Sequence, residues 1–201
     1  ELLDGKKGII LLSCWAHARR KFSDAIKNDR ERAESALEQI QLLYEVERQI
    51  KDQALCFEEA AKLRVRLAYP IMVRFEKWLV AEHAKVIKGS PIEKAILYTY
   101  NRFNKLSRYH LDGRYNIDNN GIENAARPVA VGRKNYLFCQ NDDTAESTAI
   151  IYSFMGCCKA AKVNFRTWMI YFLDHVHDYD QDYTRDIAEL LPDNLKDAGV
   201  L

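Results

Sequence analysis

The chain has 201 residues, of which 48% are hydrophobic and 29% are charged, so it suits one large domain or two small ones and is not a disordered protein. Thirty Lys and Arg side chains against 29 Asp and Glu leave a net charge of +1, which excludes a global positive field as the means of binding nucleic acid. The five cysteines are odd in number and form no CxxC pair, so we expect reduced thiols, a cytoplasmic location and neither a disulfide framework nor a zinc ribbon.

The first element that the sequence predicts is a strand. Gly8–Cys14 is a short apolar run rich in branched side chains, which is typical of a strand covered on both faces. Because such a strand needs partners and the chain does not begin with Met, we expect the rest of a sheet to precede Glu1. The open edge of that sheet should be covered by chain or should pair with a second copy. The longest apolar run, Ile9–Leu12, is too short to span a bilayer, so we expect no membrane partner.

Helices are predicted after this strand. Residues 15–28 carry apolar side chains at helical spacing, and residues 30–110 are helical almost throughout, with one helix ending at Pro70. A further helix begins with Ser90 as its N-cap and Glu93 three residues later.

The C-terminal third is predicted to be helical with one interruption. Residues 132–139 are expected to form a short extended segment, and two helices follow, the second of them capped by Asn164. A short terminal helix is expected to end near Pro192. The predicted fold class is therefore mainly α, with a helical insertion and an incomplete α/β core that carries one or two strands.

The stretch "YNIDNNGIENAARPVAVGRKNYLF", residues 115–138, holds the densest polar pattern in the chain. Asn120, preceded by Asp118 and Asn119 and followed three residues later by Glu123, is typical of a helix capping box. Glu123 would equally serve as a carboxylate ligand for Mg²⁺ in two-metal phosphoryl transfer, with further carboxylates from outside this sequence. The residues alone leave both interpretations open.

Two basic clusters are candidate contacts for DNA phosphates. Their residues are Arg19, Arg20 and Lys21 on the first helix, and Arg127, Arg133, Lys134 and Asn135 after the glutamate. Each cluster is also consistent with the solvated polar face of a helix. If the second cluster holds a phosphate next to Glu123, its cations should lie on the same face as the carboxylate.

Three segments together resemble one family. They are "CWAHARRKF", "SPIEKAILYTYNRFNKLSRYHLDGRYNIDNNGIENAARPVAVGRKNYLF" and "ELLPDN", and they resemble the C-terminal part of bacterial transposases of insertion-sequence family 66. The resemblance runs from about Ser13 to Asn194 and keeps the family's motif order. It implies a DDE-type transposase, whose RNase H-like core uses three acidic residues and Mg²⁺ or Mn²⁺ for DNA strand cleavage and strand transfer.

By that resemblance Glu123 is the third catalytic acid and a metal ligand, and both aspartates precede Glu1. The implied domains are a last core strand with its following helix at 1–29, a helical insertion at 30–112, and a glutamate-bearing catalytic part with terminal helices at 113–201. The implied partners are DNA, at the insertion-sequence ends and at the target, and a second copy of the protein. The chain alone is expected to be inactive and to bind no metal tightly.

One position departs from the family pattern. Asn124 stands where an arginine usually follows the glutamate, which puts one phosphate contact, or the activity of this copy, in question. The alternative function, from a different class, is a non-enzymatic helical remnant of a mobile element that only binds DNA or another protein.

Overall fold

A computed structural model describes Lys6, residues 8–182 and residues 184–201, with only the backbone of residues 180 and 181. The helices are α1 (Trp15–Ala25), α2 (Arg30–Asp52), α3 (Phe57–Leu63), α4 (Tyr69–His83), α5 (Pro91–Asn101), α6 (Phe103–Ser107), α7 (Asn120–Tyr136), α8 (Asp142–Ala161), α9 (Phe165–Gln181) and α10 (Pro192–Asp197). A π-helical turn, Arg64–Ala68, joins α3 to α4, and 3₁₀ turns lie at Arg108–Leu111 and Ile187–Leu190.

The chain divides into two compact units, residues 1–121 and residues 122–201. The mainly helical fold class is confirmed, while the predicted domain boundaries at 29/30 and 112/113 stay predictions. All five cysteines are free. Within the described ranges, no helix is both long enough and apolar enough to cross a membrane.

The core of the first unit forms around α1, which packs against α2 and α5. Trp15 is completely buried, and its indole N–H donates to the Leu106 carbonyl oxygen at 2.9 Å. Its ring meets Phe103 edge to face at 6.1 Å, and the buried Phe75 ring lies at the same distance from it. Because the indole N–H has an acceptor, this large side chain can be buried without leaving an unsatisfied donor.

The second unit has a smaller core between α8, α9 and α10. Trp168 of α9 is buried, stacks on Phe154 of α8 at 4.8 Å, and donates its indole N–H to the Leu190 carbonyl oxygen at 2.9 Å. Cys158 and Leu195 complete the buried cluster.

Two helix starts predicted from local sequence are confirmed. The Ser90 hydroxyl accepts from the Glu93 N–H at 3.2 Å at the start of α5. The Asn164 side chain accepts from the Thr167 N–H at 3.1 Å at the start of α9. Each side chain satisfies a backbone donor that the first helical turn leaves without a partner.

The strand predicted for residues 8–14 is wrong, since no strand occurs among the residues that the structure describes. A strand needs a ladder of backbone hydrogen bonds to one neighbour. Here the Ser13 N–H donates to the Lys105 carbonyl oxygen and the Trp15 N–H donates to the Ile117 carbonyl oxygen, in two different segments. The open sheet edge expected to recruit a second copy is therefore also absent from the described chain.

Two prolines behave differently from the prediction. The helix expected to end at Pro70 continues, because the Tyr69 N–H reaches the Arg64 carbonyl oxygen across the wider π turn and α4 follows directly. Proline lacks an N–H, and the first positions of a helix tolerate this loss. The short helix expected to end near Pro192 is the 3₁₀ turn Ile187–Leu190, which does end just before it, but Pro192 then begins a further helix, α10, which was not predicted.

Candidate functional site

Glu123 lies in the first turn of α7. The sequence predicts Asn120 as the N-cap, which would make Gly121 the first helical residue. In the structure Asn120 is itself the first residue of α7, so Glu123 is the fourth. The Asp118 carboxylate oxygen Oδ1 accepts from the Asn120 N–H at 3.1 Å. Asp118 therefore supports the start of α7. The helix continues to Tyr136, so the extended segment predicted from residue 132 is wrong there.

Asp118 has a second partner on α2. The Tyr44 hydroxyl donates to the other carboxylate oxygen, Oδ2, at 3.0 Å, across 74 residues of sequence. Burial, followed by the negative charge of Asp118, raises the pKa of Tyr44 above its ordinary value. The hydroxyl therefore keeps its proton at neutral pH and remains a donor.

One turn further along α2, Glu47 binds a buried arginine. The Arg64 guanidinium is 3% exposed and donates to both Glu47 carboxylate oxygens, at 2.9 and 2.7 Å. It also donates to the carbonyl oxygens of Tyr109 and Asp112, at 3.0 and 2.9 Å. The planar fork of arginine makes this two-sided contact possible. Helix α2 is thus bonded to the segment that precedes α7.

The residues of α7 fall on two faces. Arg127 and Lys134 lie within about 40° of Glu123 around the helix axis, because they follow it by 4 and 11 residues at about 100° each. Arg133 lies about 80° from Glu123 in the opposite rotational direction, so on an ideal helix it stands at the border of this face, and its place beside Glu123 stays a prediction. Asn135 lies about 120° away. No residue of α7 is buried.

The other face of α7 approaches α8. A Cβ on Gly132 would collide with the Tyr152 hydroxyl, so the tyrosine side chain would have to move to admit any other residue there. Burial and Tyr152 raise the pKa of Tyr136, while the nearby Arg133 guanidinium opposes the rise. Pro128 stands inside α7 and cannot donate to the carbonyl four residues earlier.

The first basic cluster is divided between two surfaces. Arg19 and Arg20 line a depression of about 630 Å³ between α1 and α2, with Asn120 at its edge. A second depression of about 600 Å³ shares Arg19 and is also lined by Arg48 and Lys51 of α2. The Lys21 ammonium instead lies 5.7 Å from the centre of the Tyr98 ring on α5. Two of the three predicted cations therefore line one concave surface within the first unit.

The described residues do not form a metal site by themselves. No group of three or more His, Cys, Asp or Glu side chains in the described ranges is arranged to hold a metal ion. Glu123 can supply one carboxylate, and a two-metal site needs several. Further ligands would have to come from elsewhere, so the metal role of Glu123 stays a prediction, as do the DNA contacts of both basic clusters.

Comparison with known proteins shows the family to which this helical chain belongs. The model of the Transposase IS66 family matches residues 2–147, and the chain belongs to that family. The resemblance described from the sequence motifs is therefore confirmed.

Three proteins of Sinorhizobium fredii (strain NBRC 101917 / NGR234) are similar to the chain. Uncharacterized protein y4hP is 31% identical over 199 residues, which cover 92% of this chain and 35% of the relative. Uncharacterized protein y4jD is 30% identical over 189 residues, which cover 92% of this chain and 36% of the relative. Uncharacterized protein y4qI is 31% identical over 195 residues, which cover 96% of this chain and 35% of the relative. The chain thus spans about a third of the length of these curated relatives. No solved structure matches the chain.

Sequence analysis did not assign Tyr44, Glu47 or Arg64 to this site. One signal was available, because Glu47 places a carboxylate among apolar residues at helical spacing on α2. A charge on a core-facing position needs a buried partner. The identity of that partner depends on the tertiary fold, since Arg64 follows 17 residues later on another helix.

Proposed function

We propose that the protein containing this chain is a DDE-type transposase with an RNase H-like catalytic core, which uses Mg²⁺ or Mn²⁺ to cleave DNA and transfer the strands of an insertion sequence. Membership of the Transposase IS66 family supports this proposal. The observation that carries it is the position of Glu123 in the first turn of α7, on the face that also presents Arg127 and Lys134. A carboxylate flanked by cations suits a metal-dependent reaction on a phosphodiester.

Each of these side chains has a distinct role in the proposal. Glu123 supplies one oxygen ligand of a catalytic metal, which when bound stabilises the charge that develops on the attacking and leaving oxygens. Arg127 and Lys134 hold the DNA backbone beside the carboxylate. Arg19 and Arg20 provide a second set of phosphate contacts in the depression between α1 and α2.

Strand cleavage by the intact protein tests the role of Glu123. We expect Glu123→Gln to abolish cleavage of DNA that carries the element's ends while it leaves DNA affinity unchanged, because the amide is a poor metal ligand of the same shape. Glu76→Gln, at an exposed position on α4, is the matched control and should retain cleavage. Cleavage that survives in Glu123→Gln would show that this residue only belongs to a helix start.

The salt dependence of DNA binding tests the DNA contacts proposed for Arg127 and Lys134. Replacing Arg127 and Lys134 together by Ala should weaken binding and flatten the log–log salt slope by about two, since each phosphate contact contributes about 0.9. Arg74→Ala combined with Lys77→Ala is the matched control, because these exposed cations of α4 lie outside both basic clusters and should leave the slope unchanged. Equal flattening by both variants would contradict the assignment of the face.

The alternative proposal is a non-enzymatic remnant that binds DNA or another protein. It is favoured by Asn124, which stands where the resembling transposases usually have arginine. DNA binding by the intact protein without any strand cleavage in Mg²⁺ or Mn²⁺ would support the remnant. Self-association and a cytoplasmic location stay predictions, and sedimentation of the intact protein checks the first of them.

A further inference from the structure

We propose that Tyr44 is a positioning residue for strand cleavage: acting through Asp118, its hydroxyl holds the first residue of α7 and so restrains the turn that carries Glu123. This inference rests on the catalytic role proposed for Glu123. Tyr44 lies on α2 and is remote from Glu123 in sequence.

The restraint consists of two hydrogen bonds that share one carboxylate. The Tyr44 hydroxyl donates to Asp118 Oδ2 at 3.0 Å, and the Asn120 N–H donates to Asp118 Oδ1 at 3.1 Å. Because each carboxylate oxygen accepts from a different donor, the two hydrogen bonds together restrict rotation of the Asp118 carboxylate. Hydrogen bonds to an ionised acceptor are about twice as strong as neutral ones.

The segment that leads to Asp118 is itself tied to buried groups. Glu47, one turn from Tyr44 on α2, orients Arg64, which donates to the carbonyl oxygens of Tyr109 and Asp112. The Ile117 carbonyl oxygen accepts from the backbone N–H of the buried Trp15 at 3.1 Å. Residues 109–118 are therefore held within the first unit by contacts to Arg64, Trp15 and Tyr44, and the Tyr44–Asp118 bond is the one closest to α7 among these.

Helix α7 needs such a restraint at its start. The first backbone N–H groups of a helix have no acceptor within the helix, so external groups must hold them. The helix is exposed along its length, and Pro128 removes one of its internal hydrogen bonds. A carboxylate that binds a catalytic metal must be held within about 0.5 Å of its working position. A restraint that comes from α2 through Asp118 meets this requirement without touching the reacting atoms.

Hydrogen exchange and cleavage kinetics of the intact protein test the proposal. In Tyr44→Phe, which removes only the hydroxyl, we expect the amides of residues 124–127 to exchange about tenfold faster, because they donate to the carbonyl groups of the first turn. We expect kcat for strand cleavage to fall about tenfold while KM for DNA stays the same, since orientation changes and binding does not. Tyr100→Phe, about half exposed on α5, is the matched control and should change neither quantity.

A double variant separates positioning from general destabilisation. Because the hydroxyl acts through Asp118, adding Tyr44→Phe to Asp118→Ala should cause no further increase in exchange at residues 124–127. Additive increases, or wild-type exchange and kcat in Tyr44→Phe alone, would overturn the proposal. Cleavage that survives in Glu123→Gln would instead reject the proposed catalytic role, and the exchange result would still report whether Tyr44 restrains α7.

Discussion

Replacing Arg64 by Met removes the guanidinium that joins α2 to the segment before α7. The variant leaves Glu47, whose side chain is 18% exposed, without its bidentate partner, and leaves the Tyr109 and Asp112 carbonyl oxygens without this donor. Breaking one side of a buried ion pair costs about 3–5 kcal/mol, and the partial exposure of Glu47 favours the lower end. At about 2–4 °C per kcal/mol for a chain of this size, we expect Tm to fall by about 6–12 °C.

Calorimetry and urea unfolding measure this loss, followed through the transition of the first unit. Arg48→Met is the matched control, since Arg48 pairs with Glu45 at 3.2 Å with both side chains largely exposed, and it should cost less than about 1 kcal/mol. The double variant Arg64→Met with Glu47→Met should recover part of the loss, because it removes the uncompensated charge. If Arg64→Met were no more destabilising than Arg48→Met, the Arg64 contacts would not hold this unit together.

Two further predictions concern the loop that follows the 3₁₀ turn. Gly113→Ala should lower Tm, because the added Cβ would collide with the Phe57 carbonyl oxygen, whereas Gly156→Ala, in open space within α8, should be neutral or stabilising by up to about 1 kcal/mol. The Arg114 side chain, followed by its N–H, lowers the pKa of Asp112 from 3.8 to about 2. Since the folded pKa is the lower one, the stabilisation is complete above pH 3.8 and is lost as the pH falls towards 2. An NMR titration should show this midpoint, and Arg114→Ala should move it back up; an unchanged midpoint in that variant would contradict the assigned cause.

Local patterns predicted the helices well because their signals lie within a few residues. The apolar spacing of α1 and α2 and the caps at Ser90 and Asn164 each depend on neighbours in sequence, and the structure confirms them. The strand at residues 8–14 was wrong because a short apolar run does not distinguish a buried strand from another packed segment. Only the backbone hydrogen-bond partners of these residues, which the sequence does not show, distinguish a strand from another packed segment.

The contacts around the candidate site could not be predicted in the same way. Tyr44 meets Asp118 across 74 residues, and Arg64 meets Tyr109 across 45, so no spacing rule connects them. The family resemblance identified Glu123 as the residue of interest. It did not indicate that a tyrosine and a buried arginine support the approach to its helix, because those contacts depend on how the helices pack.

Pro128 is a position at which α7 can bend. The missing backbone donor weakens the helix between Glu123 and Lys134, and sharp helix bends, of more than about 20°, usually occur at positions of this kind. Lys134 lies about 9 Å beyond the proline, at 1.5 Å per residue. A 20° change at Pro128 would therefore move its attachment point by about 3 Å, comparable to the length of one hydrogen bond. If Glu123 and Lys134 have the roles proposed for them, such a bend would change the distance between the carboxylate and the distal cation, while the Asn120 N–H still donates to Asp118.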